Sequence, residues 1–178
     1  MQSAYITTTG RAALALLVAA IVGPVILWIS EIAFWTLRNR RPDFAGWPEL
    51  IATIGALVAI GTPMLSLFLL FVGFPAWLAL DVTGRRSWRW LVATGALLGF
   101  AVSLWIKVAL AYVPSPRNTE GFQDGLVFDY EGAVVATPAG ITAHGWWTAL
   151  VEALPSALAC ALLGLVIWRI AYRRIAPT

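Results

Sequence analysis

Charged residues are scarce in this sequence. Asp, Glu, Lys and Arg together make up 12% of its 178 residues, about half of the roughly 25% carried by a water-soluble domain. Too few groups are present to solvate a globular surface, which excludes an ordinary soluble fold. Histidine and cysteine are scarcer still, with one each, His144 and Cys160. A lone thiol cannot close an intrachain disulfide, and among Ala and Leu it reads as a small buried residue. His144 lacks the His/Cys/carboxylate spacing of a metal site. The one catalytic arrangement it could enter, with Glu152 as its orienter, has no paired nucleophile. No nucleotide-binding motif is present either. The sequence therefore implies no metal, no cofactor and no enzymatic activity.

What the sequence does contain is apolar, with 60% hydrophobic residues. These fall in four runs, at about residues 12–35, 50–80, 88–113 and 146–172, each at or above the roughly 20 residues needed to cross a bilayer as a helix. The expected fold class is an all-α integral membrane protein, a four-transmembrane-helix bundle forming one domain over residues 1–178. Tryptophans mark both boundaries. Trp35, Trp47, Trp146 and Trp147 fall at one set of ends, and Trp77, Trp88, Trp90 and Trp168 at the other, as amphipathic indoles do at headgroup level. Trp28 and Trp105 lie deeper. The first run begins like a signal peptide, with Arg11 before an apolar stretch. It is longer than a usual h-region, and Phe34-Trp35 stand where a cleavage site needs small residues, so it reads as an uncleaved span.

The net charge of +3 does not point to nucleic acid, because the arginines flank the apolar runs and so act as orientation signals. With four spans and the N-terminus inside, seven Lys or Arg fall inside and four outside. Both termini are then cytoplasmic. A second topology makes residues 50–80 a re-entrant hairpin broken at Gly61-Thr62-Pro63, which scores nine against two. Its two arms are short for spans, and a single proline-kinked helix is the commoner object, so four spans are preferred. Both topologies place residues 114–145 outside. This extracytoplasmic loop is acidic, with Glu120, Asp124, Asp129 and Glu131 against Arg117. Two strand-like runs around Glu131-Gly132 suggest a β-hairpin lid.

One constellation carries chemistry. Gly95, Gly99, Ser103 and Lys107 recur every four residues in the third run, and Glu152, Ser156, Cys160 and Gly164 do so in the fourth. Residues four apart share a helix face, so each run has a small-residue stripe of the kind that lets helices approach closely. Aligned antiparallel, Lys107 meets Glu152, Ser103 meets Ser156, Gly99 nears Cys160 and Gly95 nears Gly164. Glu31 and His144 reach the same outer level. The candidate polar cluster is thus Glu31, Lys107, Glu152 and His144, either an ion pair fixing register or the lining of a polar cavity.

Phe74-Pro75-Ala76-Trp77-Leu78 before an arginine turn, and Gly164-Leu165-Val166-Ile167-Trp168 before a basic tail, look like small inner-membrane proteins of bacteria. That resemblance implies an inner-membrane location and no particular activity. The expected function is a non-enzymatic accessory or binding protein. Its partners would be the lipid bilayer and either further copies of itself or a larger membrane complex. The alternative is a small transporter or an ion- or proton-conducting oligomer using the polar cluster.

Overall fold

Long apolar runs satisfy their backbone hydrogen bonds locally as helix, and the prolines within them decide where each helix bends. The computed structural model describes residues 5–38, 47–111, 127–128, 133–137 and 140–174. A short strand, β1 (Tyr5–Ile6), leads into α1 (Thr9–Leu37), whose N-cap Thr8 accepts a hydrogen bond from the Arg11 amide. Helix α2 (Trp47–Phe68) runs through Gly61-Thr62-Pro63 without a break. It continues through a wide π-turn over Leu69–Gly73 into α3 (Phe74–Val82), with the Phe74 amide donating to the Leu69 carbonyl. Pro75 explains the widening. A proline has no N–H, and its ring presses on the carbonyl one turn earlier, which an expanded turn accommodates. The preferred single span therefore stands and the re-entrant alternative does not: residues Leu50–Val82 form one continuous helix of 33 residues.

Helix α4 (Trp88–Ala111) follows a tight turn. Strands β2 (Val127–Phe128), β3 (Val134–Thr137) and β4 (Gly140–Ile141) form an antiparallel sheet in that order, with a bulge between β2 and β3. The expected acidic residues Glu120, Asp124, Asp129 and Glu131, their counterpart Arg117 and the Glu131-Gly132 turn lie outside the described residues. The fourth run departs from expectation. It begins at Ala143 and divides into α5 (Ala143–Glu152) and α6 (Leu154–Ala171), with a turn at Ala153. Pro155 causes the division, because it gives no N–H to Val151 and suits the first turn of a new helix. A last strand, β5 (Arg173–Arg174), pairs antiparallel with β1.

Among the described residues, four helices are thus long and apolar enough to cross a membrane: Gly10–Leu37, Leu50–Val82, Trp88–Ala109 and Ala143–Ala171. They pack in the spatial order α2, α1, α6, α4, with the most extensive contact between α4 and α6. One core joins Ala19, Ala20, Leu65, Leu69 and Leu163, and another joins Ala15, Leu91, Ala171 and Tyr172. Helix α2 touches the rest mainly through α1. Its outward face is bare: Ile60 is 66% exposed and Leu67 58%.

The two ends are closed differently. Where both termini meet, β1 pairs with β5 and Arg11 Nε donates to the Ile170 carbonyl at 3.0 Å. Arg86 makes a two-pronged ion pair with Asp81, at 2.8 Å from Nε and 3.2 Å from Nη2. The buried Tyr172 hydroxyl donates to Asp81 Oδ1 at 3.2 Å, and Trp168 Nε1 donates to the Arg86 carbonyl at 3.2 Å. At the far end the sheet rests on the start of α5. Thr142 Oγ1 donates to the Val134 carbonyl at 2.7 Å and accepts from the Gly145 amide at 3.0 Å. Gly145 packs so close to the Val135 carbonyl that no Cβ would fit.

The Tyr172 latch has a measurable signature. Burial first, and then the Asp81 carboxylate, push its phenol pKa upward, above the ordinary value of about 10. The folded chain therefore holds that proton more tightly than the unfolded chain does. The resulting stability is complete below about pH 10 and is lost as pH rises beyond it. Tyr172→Phe should cost about 1–2 kcal/mol at neutral pH and flatten the alkaline decline, as read by thermal unfolding in detergent between pH 7 and 11.

Candidate functional site

Three glycines bring α4 and α6 together. A Cβ on Gly95 would strike the Cys160 carbonyl, one on Gly99 would come within 2.6 Å of the Ser156 carbonyl, and one on Gly164 would lie 2.5 Å from the Leu91 carbonyl. Backbone therefore packs on backbone along this seam, as small-residue faces allow. The expected partners are corrected in detail. Gly95 lies against Cys160 and Ala161, and Gly164 lies against Leu91. Gly99 does meet Cys160. The helices are slid by two to four residues from the simple antiparallel alignment, about 3–6 Å. The break at Pro155 resets the axis of α6, and the long Lys107 side chain absorbs the offset.

Lys107 and Glu152 meet. Nζ lies 3.0 Å from Glu152 Oε2, with the two side chains 27% and 18% exposed. Lys107 comes from the last turns of α4, and Glu152 is the last residue of α5, set there by the Pro155 break. Glu31, on α1, stands within electrostatic reach of both, and its carboxylate accepts a hydrogen bond from the Trp35 side chain one turn on. His144 lies eight residues before Glu152, at the start of α5. It is exposed on the first turn of α5, where Nε2 lies 3.4 Å from Thr148 Oγ1.

The rest of the stripe serves a different purpose from the glycines. Ser103, Ser156 and Cys160 line a cavity of about 320 Å³, together with Glu31, Lys107, Val102 and Ile106. A neighbouring space of about 540 Å³ shares Glu31, Val102, Ile106 and Ser156, and is walled by Pro24, Trp28, Gly61 and Met64. Together they form a cleft between α2 and α4, floored by α1 and α6. Glu31 and Lys107 line it toward the end away from the termini, where Glu152 is joined to Lys107. Toward the termini α3 touches α4, and the space narrows to an apolar cavity of about 70 Å³ beyond Leu65, Phe68 and Cys160.

Several of these residues were not legible as site residues. Trp28 fits the indole belts poorly, and its place on the cleft wall explains that. Pro24 and Gly61 could have signalled the cleft, since α1 and α2 cross there; a Cβ on Gly61 would lie 2.8 Å from the Pro24 ring. Asp81, Arg85 and Arg86 read as an orientation signal, yet Asp81 and Arg86 anchor the closed end together with Tyr172. Among the described residues no group of three His, Cys, Asp or Glu is arranged to hold a metal.

The ion pair predicts a non-additive mutant series. Lys107→Met alone leaves the Glu152 carboxylate uncompensated and should destabilise by about 3 kcal/mol or more, whereas Lys107→Met with Glu152→Leu should recover most of that loss. Unfolding midpoints of the three proteins in one detergent measure it, and equal stability of single and double variants would show that the residues do not meet. No family model, curated protein or solved structure matches this chain.

Proposed function

We propose that the chain is a multi-pass inner-membrane protein with four spans, both termini cytoplasmic and residues 114–145 outside. We further propose that it works without catalysis, as a binding or accessory protein whose binding surface is the cleft between α2 and α4. The observation that carries this reading is the cleft itself: an apolar trough that opens sideways and has Glu31 and the Lys107–Glu152 pair at its mouth. Ionisable groups in a span usually mark function, and an apolar pocket with a few convergent polar groups is the ordinary form of a binding site. Bare apolar faces on α2 and α4 leave room for lipid, a second copy or a larger membrane complex, and nothing in the composition favours nucleic acid. Conduction by the same three groups is the weaker reading, because the lining beyond Cys160 is almost wholly apolar.

Orientation follows from the arginine distribution and is tested by reporter fusions. A fusion after Arg41 should report outside and one after Arg86 inside; an inside result at Arg41 would defeat the topology. The cleft is tested by site-specific photo-crosslinking in intact membranes. A photoreactive residue at Val102, on the cleft wall, should give an adduct of defined mass. One at Trp105, 70% exposed on the outward face of α4, should give only diffuse labelling. Equal labelling at the two positions, or none at Val102, would remove the cleft as a binding surface.

A further inference from the structure

The shape and charge of the cleft identify the occupant more closely than the reading above, on which this inference rests. We infer that the cleft holds one phospholipid, with a primary ammonium headgroup against Glu31 and an acyl chain running toward the closed end.

Among the described residues the mouth carries two carboxylates and one cation, a formal charge of −1. Lys107, the only lysine in the chain, is committed to Glu152 at 3.0 Å. Glu31 accepts from the Trp35 side chain and shares the field of Lys107 with Glu152, so a further cation bearing N–H donors completes the site. Glu31 lies six residues before the end of α1 at Leu37, about 9 Å along the axis. That is the depth of a headgroup in the outer leaflet of a bilayer spanned by α1.

Below the mouth the space becomes apolar and narrow. It passes Leu65, Phe68 and Cys160 into the 70 Å³ slot lined by Leu69, Trp77, Leu80 and Leu98, and α3 on α4 closes its end. A transmembrane helix is about 10–12 Å across and runs the full thickness of the membrane, so neither the slot nor its closed end admits one. A soluble cation would leave the trough unfilled. An amphiphile of one leaflet satisfies both parts, and the side opening between α2 and α4 lets it enter from the bilayer.

The test uses the full-length protein, delipidated in detergent and then offered phosphatidylethanolamine, phosphatidylcholine or phosphatidylglycerol, with bound lipid counted by native mass spectrometry. Phosphatidylethanolamine should be retained at one per chain and outlast the other two on dilution. Glu31→Gln should weaken that retention roughly tenfold and leave phosphatidylcholine and phosphatidylglycerol unchanged, while Glu31→Asp keeps the preference. Ala76→Phe, which fills the slot, should weaken all three. A preference for phosphatidylglycerol, equal retention of the three lipids, or full retention by Glu31→Gln would overturn the inference. Should Glu31→Gln fail to fold, the headgroup comparison on the unaltered protein decides alone. If no lipid is retained while Val102 still crosslinks a defined partner, this inference falls and the binding cleft stands; if Val102 gives no adduct, both fall.

Discussion

The bundle depends on one seam, where α4 meets α6 through glycines. Gly95, Gly99 and Gly164 each place a backbone where a side chain would otherwise stand, with carbonyls of the opposite helix at van der Waals distance. Dispersion is weak per atom pair and strong when whole helix faces touch, so this is the most extensive contact in the protein. It has a geometric consequence. With α4 drawn onto α6, and α2 held on α1, a space is left between α2 and α4 among the described residues. The cleft is what remains.

The same seam sets the position of the charges. Lys107 continues the glycine stripe of α4, and Glu152 ends α5 because Pro155 cannot extend it. Each charge is partly withdrawn from solvent, where an unpaired ion is costly, and each finds the other at 3.0 Å. Glu31 then reaches the pair from α1. At the opposite end the Asp81–Arg86 pair, Tyr172 and the β1–β5 pairing close the bundle. One end is latched, and the charged groups of the cleft stand toward the other.

Much of this was legible in the sequence, for definite reasons. Four apolar runs of spanning length admit little but four helices, because backbone groups in an apolar setting must pair within their own segment. The four-residue spacing of small residues in the third and fourth runs announces the faces that meet, and the lone lysine on one stripe with a glutamate on the other announces their partnership. What was left open or missed involved proline. Pro63 admitted a break as the alternative and α2 runs through it, while Pro155 was passed over and split the last run. A proline removes one hydrogen bond wherever it stands, but whether the helix bends, widens or ends depends on which neighbours can take up the strain. His144 stands at the opposite end of α5 from Glu152, about 12 Å along the axis.

By itself, then, the sequence determined the number, length and apolar character of the helices, the faces by which α4 and α6 touch, and the meeting of Lys107 with Glu152. These follow from local periodicity and from the cost of an unpaired charge, both properties of the chain alone. Only the tertiary structure decided the slide between α4 and α6, the separation of α2 from α4, and the joining of Glu31, Ser103 and Ser156 in one cleft. Those depend on the order in which helices of similar composition pack. Because every face here is apolar, composition ranks the possible neighbours poorly, and shape complementarity at Gly61, Gly95, Gly99 and Gly164 chooses among them.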